Sequence, residues 1–378
     1  MMKYIVLAMA VLGVSAAYGE TVTVDKHVKV YYEAGRFGGW PANHGMWNWG
    51  NEILVGFSRG YYKDQGDYHH IDHDKPEEHW LARSLDGGET WSLEHPTEKG
   101  QLIPQGESLH GTELPGVEIK PSIPFEGKID FAHPDFAMTL RMGTVNIGPS
   151  RFYYSYDRGH NWEGPYLFPN LGTTGVAART CYIVEGPDTC TGFLTSAKEN
   201  TEEGRSFCAR TTDGARTWEF LSWIGPQPEG FSIMPAAVRL SDTDVVVCTR
   251  RREEDRRWID AWVSNDDCQT WEQLPDPVEE LGAGNPPSLI KLADGRLCLT
   301  YGYRAEPFSI RARLSNDGGK TWGQEHLLRD DGSSKDIGYV RSTQRPDGKI
   351  VTTYYYSGAV NGPERYIGAT IWSAGIKE

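Results

Sequence analysis

Cationic side chains recur near the ends of apolar, strand-like runs in this sequence. The run ends read GFSRGYYKD, TLRMG, TSAKEN, CTRRR and YGYRAE, and the start of another run reads IGYVRS. The candidate functional cations in these stretches are Arg59, Arg141, Lys198, Arg250, Arg251, Arg304 and Arg341. Arginine binds carboxylates and sulfates through paired hydrogen bonds, so a cluster of these residues would suit an acidic ligand. Ordinary surface ion pairing is the alternative, above all for RRREEDRR (250–257).

Histidine and aspartate are concentrated in one segment, YYKDQGDYHHIDHDKPEEHW (61–80). Its titratable residues include His69, His70, His73, His79, Asp64, Asp67, Asp72 and Asp74. Imidazole and carboxylate groups both ligate metals and transfer protons, so a metal site, a proton-transfer site and a solvated loop all fit this composition. His133, in AHPDFA (132–137), is a separate candidate for a single catalytic histidine.

The overall charge restricts the class of partner. The chain has 378 residues and a formal net charge of −14. Bulk electrostatics therefore disfavour nucleic acid and anionic membrane surfaces as partners. An acidic protein can still hold a local cationic pocket, and on this chain such a pocket would indicate an acidic ligand.

The N-terminus has the pattern of an export signal. Lys3 precedes an apolar run from Tyr4 to Val14, and small residues follow, with cleavage sites after Ala17 or Gly19. The run is short for a membrane span. We predict a signal peptide over 1–19 and a secreted or periplasmic protein with no membrane association after cleavage, an uncleaved anchor being the alternative.

One eight-residue pattern occurs five times. The copies are SLDGGETW (84–91), SYDRGHNW (155–162), TTDGARTW (211–218), SNDDCQTW (264–271) and SNDGGKTW (315–322). Each interval between copies contains apolar strand-like runs joined by turns, as in SLIKLADGRLCLTYGYR (288–304). No long segment outside the N-terminus has helical periodicity.

These repeats predict the architecture. Four short strands per unit, at a period above about fifty residues, are typical of a β-propeller. Five repeats and a last unit without one give an all-β, six-bladed propeller of four-stranded antiparallel blades. Residues 22–33 would complete the last blade by pairing with the C-terminal strand, which removes an open sheet edge. No linker divides 20–378, so we predict a single domain.

The repeat resembles the Asp box of the sialidase superfamily. Its Asp forms a turn, Gly allows positive φ, and Trp packs between sheets. The resemblance implies that Asp86, Asp157, Asp213, Asp266 and Asp317 are structural and lie away from the substrate face. Functional residues are then expected on the opposite face, where the inner strands begin.

The same resemblance implies roles for particular residues. Tyr339, in GYVRSTQRPDG, stands where the sialidases have their tyrosine nucleophile. Arg250 and, more loosely, Arg304 match two members of the arginine triad that binds the sialic acid carboxylate. Arg59 matches an arginine of the first blade. Asp64, or Asp67, falls near the family's acid–base aspartate, and Asp135 falls near an aspartate of the second blade.

Two positions depart from the family pattern. GGWP (38–41) places Trp40 where the first triad arginine is expected, and Arg36 could substitute. Met234 stands where the glutamate that polarises the tyrosine is expected, and Glu199 or Glu306 could replace it. Trp40 could also stack on a sugar face.

These residues lead to three hypotheses. The first is an exported exo-glycosidase that releases a terminal acidic sugar, sialic acid above all, using Tyr339, Asp64 or Asp67, and carboxylate-binding arginines including Arg341. The second is a glycosidase or lyase on uronate-containing polysaccharide, with His133 or the histidine-rich segment in catalysis. The third is a non-catalytic carbohydrate-binding propeller. We predict no metal site and no cofactor, and an acidic glycan as partner.

Overall fold

The computed structural model describes residues 20–103, 111–202, 204–358 and 362–376. The predicted signal peptide, 1–19, lies outside the described residues. Regular structure is almost entirely β, with one short helix α1 (Pro41–His44) and a 3-10 turn (Pro96–Lys99). Among the described residues, no helix has both the length and the apolar character needed to cross a membrane.

The first blade has an interrupted inner strand. After β1 (Glu20–Tyr31), the blade comprises β2 (Arg36–Gly39), β3 (Met46–Trp49), β4 (Glu52–Tyr61), β5 (Glu78–Ser84) and β6 (Ser92–Glu94). Both β2 and β3 pair with β4, on either side of α1. The polar segment between β4 and β5 forms a long insertion at one end of the blade.

The second blade differs from the prediction. It contains only β7 (Ala137–Met142), β8 (Ser150–Ser155) and β9 (Glu163–Phe168). The preceding segment carries Pro115, Pro121 and Pro124, which cannot donate to a strand ladder. Ile123 instead forms an isolated bridge with Tyr166 on the outer strand. This blade therefore has three strands among the described residues, while the predicted all-β, six-bladed propeller is confirmed.

The next three blades each have four strands that pair in chain order. The third contains β10 (Tyr182–Val184), β11 (Cys190–Ala197), β12 (Gly204–Thr211) and β13 (Glu219–Trp223). The fourth contains β14 (Phe231–Arg239), β15 (Val245–Glu253), β16 (Arg256–Ser264) and β17 (Glu272–Val278). The fifth contains β18 (Ser288–Lys291), β19 (Leu297–Tyr303), β20 (Ser309–Ser315) and β21 (His326–Arg329).

The sixth blade closes the ring. It contains β22 (Gly338–Gln344), β23 (Ile350–Gly358) and β24 (Gly362–Ile376), in the order β1-β24-β23-β22. The first strand pairs antiparallel with β24, from Glu20 opposite Ile376 to Tyr31 opposite Ile367. The predicted pairing of the N-terminal and C-terminal strands is confirmed. It covers the edge of β24 that would otherwise be open.

The five repeats are hydrogen-bonded turns. In the first, the Thr90 backbone N–H and hydroxyl donate to Asp86 at 2.9 and 2.6 Å, and Gly88 N–H donates to the Ser84 hydroxyl at 2.7 Å. Equivalent aspartate contacts occur at Asp157, Asp213, Asp266 and Asp317. Their carboxylates are occupied by the turn itself, as the prediction of a structural role requires.

The box tryptophans pack between blades. Trp162 of the second box contacts Trp47 of the first blade, with ring centroids 5.4 Å apart, and Trp218 of the third box contacts Phe168 of the second blade at 5.1 Å. Each such ring buries about 150–250 Å² when fully enclosed, which makes these contacts a large part of the adhesion between blades.

Candidate active site

The two faces of the ring carry different chemistry. The box turns follow the third strand of a blade and define what we call the box face. Because strands in a blade are antiparallel, the inner strands begin at the opposite face, as the pairing of Arg36 with Tyr61 shows for the first blade. Tyr339, the second residue of β22, lies at this opposite face.

Three arginines from three blades surround Tyr339. Arg250, in β15, donates from Nη1 to the Tyr339 hydroxyl at 3.3 Å. The guanidinium carbon of Arg304, just after β19, lies 5.4 Å from the centre of the Tyr339 ring. Arg179, before β10, acts on Tyr339 through its charge. We call these residues the arginine cluster.

One carboxylate, that of Asp336, interacts with the cluster through the charge of Arg304, but no described ion pair joins the two residues. Among the described residues, none of the three guanidiniums forms an ion pair, whereas Arg251 next to Arg250 pairs with the buried Asp260 at 3.1 Å. Arg304 instead donates to the Ile337 carbonyl at 2.9 Å and to the Tyr355 hydroxyl. Buried cations without a counter-ion are costly, so the cluster is suited to an anionic ligand.

The cluster also changes the acidity of its members. Burial alone would raise the pKa of Tyr339, but the charges of Arg250, Arg304 and Arg179 outweigh burial and lower it from the ordinary value of 10. Burial lowers the pKa of Arg179 to about 10. The phenol is therefore easier to ionise than an ordinary tyrosine, and its phenolate would be stabilised by three nearby cations.

Left-handed backbone conformations occur near the starts of two inner strands and at the interruption of a third. Tyr339, Met234 and Trp40 have φ values of 47°, 54° and 57°. At Tyr339 and Met234 they coincide with register shifts in the sheet. Non-glycine residues rarely adopt such φ values, and strained residues of this kind cluster at functional sites.

The long insertion of the first blade crosses to the sixth blade. Its His69 donates from Nδ1 to Asp336 at 2.6 Å, and the His70 N–H donates to the same carboxylate at 3.1 Å. Asp67 pairs with Lys335 at 2.6 Å. The insertion thereby forms a pocket of about 300 Å³, the rim pocket, lined by Asp67, Tyr68, His69, His73, Ala283, Arg304, Lys335 and Asp336.

The rim pocket adjoins Tyr339. The His69 ring lies 6.4 Å from the Tyr339 ring and 5.1 Å from the Trp40 ring, measured between centroids. Tyr355 donates to Asp336 at 2.7 Å, and Arg365 donates to it at 3.2 Å. Nucleophile candidate, arginine cluster, histidine and buried aspartate thus occupy one region of the opposite face.

The two aspartates predicted as acid–base residues have different positions. Asp67 lines the rim pocket, but a hydrogen bond from Lys335 lowers its pKa, so that it is a carboxylate near neutral pH. Asp64 is exposed, accepts the Gly66 N–H at 3.0 Å and lies 3.3 Å from His70 Nδ1. Only Asp67 reaches the pocket, and its ionised state makes it a poor proton donor.

Arg36 and Arg59 do not join the cluster. Arg59 pairs with Glu33 at 2.7 Å and with Glu78 at 2.9 Å, and Arg36 pairs with Glu78 at 3.2 Å. Both guanidiniums also lie over aromatic rings, those of Tyr61 and Trp80. Their charge is neutralised within the first blade, so the structure does not bring them into the group of arginines around Tyr339.

Two further predicted ligands have other positions. Arg341 lies inside the channel, where it donates to the carbonyls of Ala42, at 2.7 Å, and Thr180. It lines a cavity of about 360 Å³ toward the box end of the channel and also a small cavity that it shares with Arg179. Trp40 is only 2% exposed, so it supports His69 rather than offering a face to a sugar.

His133 and Asp135 lie at the box face, contrary to prediction. The His133 ring packs on Tyr156 at 4.7 Å, and Asp135 pairs with Arg158 of the second box at 2.6 Å. The reason is the missing inner strand of the second blade: AHPDFA leads into β7, which begins at the box face opposite Ser155. Neither residue can share a site with Tyr339.

No described carboxylate replaces the expected glutamate. Met234 is buried beside the channel, and both Glu199 and Glu306 are exposed. The Tyr339 hydroxyl is instead bonded to Arg250. No group of three or more His, Cys, Asp or Glu residues in the described part of the chain is arranged to hold a metal ion.

Several site residues escaped the sequence analysis. Arg179 stands in GVAARTC (175–181), a predicted inner-strand start, and that position was the available signal. Asn285, in GNPPSL (284–289), accepts the Tyr339 N–H. The roles of Asp336 and of His69, one of four histidines in the insertion, follow from the contact of the insertion with the sixth blade. No pattern in the sequence indicates that contact.

Similar structures share this fold. A protein of unknown function from Dyadobacter fermentans is 18% identical with a TM-score of 0.69, over 94% of this chain and 99% of its own. The NanB sialidase of Streptococcus pneumoniae is 12% identical with a TM-score of 0.55, over 91% of this chain and 70% of its own. An α-L-arabinanase of Penicillium chrysogenum is 11% identical with a TM-score of 0.55, over 93% of this chain and 98% of its own.

At these identities the similarity establishes a fold that glycoside hydrolases also use. No curated protein matches the chain significantly in sequence. The family model of the BNR repeat-like domain matches residues 136–352, more than half of the sequence and four of its five boxes. The chain therefore belongs to the BNR repeat-like domain family, a sialidase-like group of β-propellers.

Proposed function

We propose that this chain is an exported glycoside hydrolase that removes a carboxylate-bearing sugar from glycans, with sialic acid as the first candidate. One observation carries the proposal: Arg179, Arg250 and Arg304 converge on Tyr339, and none of them forms an ion pair among the described residues. A sugar carboxylate would supply the missing negative charge and accept paired hydrogen bonds from the guanidiniums.

Tyr339 is the nucleophile in this proposal. A carboxylate nucleophile would repel an anionic substrate, and sialidases use tyrosine where most glycosidases use a second carboxylate. The arginine cluster lowers the pKa of Tyr339 against the opposing effect of burial, which favours the reactive phenolate. A glutamate partner is then unnecessary for activation, because the neighbouring cations stabilise the anion.

A second candidate reaction uses the same groups. In a uronate lyase, arginines neutralise the sugar carboxylate and a base removes the proton on the adjacent carbon before the glycosidic oxygen leaves. A tyrosine of lowered pKa beside three arginines is suited to that base role. The bond broken is then the one between the glycosidic oxygen and C4 of the uronate, not the anomeric bond that a hydrolase cleaves, and the lyase product is unsaturated and absorbs ultraviolet light.

The test separates the candidates by product. Purified protein is incubated with sialyllactose and with oligogalacturonides or glucuronate-containing oligosaccharides, and products are followed by chromatography and ultraviolet absorbance. Release of the free acidic sugar, abolished by Tyr339→Phe, supports the hydrolase, whereas an unsaturated product supports the lyase. Binding without either product, measured by calorimetry, would favour a carbohydrate-binding role.

A further inference from the structure

The rim pocket contains a histidine–aspartate pair that the sialidase resemblance does not account for. His69 comes from the first-blade insertion and Asp336 from the segment before β22, so the pair joins two blades. The carboxylate of Asp336 is buried and also accepts hydrogen bonds from Tyr355 and Arg365. It is therefore fixed in position and available to orient one imidazole nitrogen.

The contacts of Asp336 keep it ionised. Burial would raise its pKa, but the charges of His69, Arg365 and Arg304 hold the pKa far below its ordinary value. An ionised carboxylate bonded to Nδ1 stabilises the protonated imidazole and sets its orientation. Nε2 is then the nitrogen through which the ring exchanges protons with a bound molecule.

The position of His69 suits a group that acts next to Tyr339. Its ring is perpendicular to those of Trp40 and Tyr339, with interplanar angles of 80° and 82°. Arg304 belongs both to the rim pocket and to the arginine cluster, so a sugar held by the cluster extends into this pocket. Asp67, which also lines the pocket, pairs with Lys335, and this hydrogen bond lowers the pKa of its carboxyl group.

We propose that His69, oriented by Asp336, is the acid–base residue of this site and protonates the glycosidic oxygen. This inference rests on the proposed hydrolase function. In the reacting form Tyr339 is a phenolate and His69 an imidazolium, the phenol proton having moved to the histidine. Tyr339 Oη bonds to the anomeric carbon, the bond to the leaving oxygen breaks with its electron pair, and His69 Nε2 gives that oxygen its proton.

The second step restores both groups. Neutral His69 removes a proton from water, the resulting hydroxide attacks the anomeric carbon, and the bond to Tyr339 breaks with its electron pair returning to the phenolate. The sum is hydrolysis of one glycosidic bond by one water molecule, with retained configuration. Asp336 is a positioning residue in this scheme, since it acts through His69.

The test uses leaving-group dependence, which a structural role does not produce. His69→Gln is assayed on a nitrophenyl glycoside of the acidic sugar, whose leaving group departs without protonation, and on the corresponding glycan. We expect the glycan rate to fall by about 10²–10⁴-fold and the nitrophenyl rate for the bond-breaking step to change less than about tenfold. His70→Gln is the matched control, because its ring stacks on Tyr62 outside the rim pocket.

A second variant covers the case in which His69→Gln folds poorly. His69→Gly is assayed with and without added imidazole, which we expect to restore glycan cleavage. Equal losses on both substrates, no loss on the glycan, or no effect of imidazole on a folded variant would overturn the role of His69. Failure of the acid–base role and failure of the proposed hydrolase function have different results. If wild type cleaves neither substrate, or if Tyr339→Phe retains full activity, the hydrolase function itself fails.

Discussion

Asn285 holds the backbone at Tyr339. Its Oδ1 accepts the Tyr339 N–H at 2.8 Å, while its Nδ2 donates to the Ile337 carbonyl at 2.8 Å. The side chain is fully buried and thus replaces the strand partners that these two peptide groups lack at the register shift of β22. An amide from the fifth blade therefore fixes a left-handed residue in the sixth.

Removal of this amide should affect both stability and activity. In Asn285→Ala the Tyr339 N–H loses its partner, whereas the Ile337 carbonyl keeps the hydrogen bond from Arg304, so we expect a loss of about 1–3 kcal/mol in the free energy of unfolding. Displacement of Tyr339 by about 1 Å should lower kcat/KM about 100-fold. Denaturant titration and steady-state kinetics measure the two effects.

Asn48→Ala is the control for this experiment. Asn48 also bonds two backbone groups, donating to the Gln344 carbonyl and accepting the Gly50 N–H, but it lies at the box end of the inner strands. We expect it to leave kcat/KM unchanged. Similar kinetic losses in both variants would contradict a specific role for Asn285.

Gly338 permits the close approach of Asn285. A Cβ built on Gly338 would lie 2.2 Å from Asn285 Nδ2, and its φ is +102°. Gly348 also has positive φ, +86°, but its Cβ would meet nothing within 4 Å. We expect Gly348→Ala to lower the free energy of unfolding by about 1 kcal/mol because of backbone strain. Gly338→Ala should lower it by about 1–3 kcal/mol more because the new methyl group crowds Asn285, and thermal unfolding measures both losses. Equal losses of stability in the two variants would show that Asn285 can move aside without a cost in free energy.

The arginine cluster should determine affinity for the ligand carboxylate. A hydrogen bond to a charged group contributes about 1.5–3 kcal/mol, so Arg250→Ala or Arg179→Ala should raise the Kd of the free acidic sugar roughly 10- to 100-fold in calorimetry. Arg252→Ala serves as control: both Arg250 and Arg252 lie on the same strand and over the Phe231 ring, but Arg250 also donates to the Tyr339 hydroxyl. A neutral sugar is titrated as a second ligand, and we expect its Kd to be the same for every variant and for wild type.

Two buried histidines should make the protein sensitive to acid. His44 and His79 have ring centroids 4.3 Å apart, and burial, reinforced by nearby Arg141, lowers the pKa of each well below 6.5. The folded state then binds fewer protons than the unfolded state. Stability is fully present above about pH 6.5 and should fall below it by up to about 2.7 kcal/mol per pH unit for two histidines.

Urea titrations between pH 8 and pH 5 measure this slope. Replacement of one member of the pair, as in His79→Leu, should reduce it by about half, whereas His160→Gln, on an exposed histidine, should leave it unchanged. A flat profile for wild type over this range would show that the pair does not control acid stability.

The propeller could be predicted because its signals are local and repeated. The boxes indicate how many blades there are and which face carries the box turns. Arg250 and Arg304, predicted from the ends of apolar runs, do lie beside Tyr339. The errors arose where the repeat is broken. The proline-containing segment of the second blade does not form an inner strand, so His133 and Asp135 lie at the box face. Ion pairs with Glu78 hold Arg36 and Arg59 within the first blade.

The rest of the site depends on contacts between distant parts of the chain. His69 and Asp336 are 267 positions apart, and their pairing is set by the path of an insertion with no repeat to align it. Asn285 and Tyr339 meet only because a register shift leaves peptide groups unpaired at one position of β22. Neither composition nor periodicity encodes such a path.

The shared sheet of β1 and β22–β24 has a consequence for how the last blade is completed. The blade that bears Tyr339 and Asp336 takes its outer strand, β1, from a segment that precedes the other five blades in the chain. That blade is therefore complete only once β1 has paired with β24. A chain without β24 would keep Tyr339, Asp336 and all three cluster arginines, but would lack the strand that joins β1 to β23.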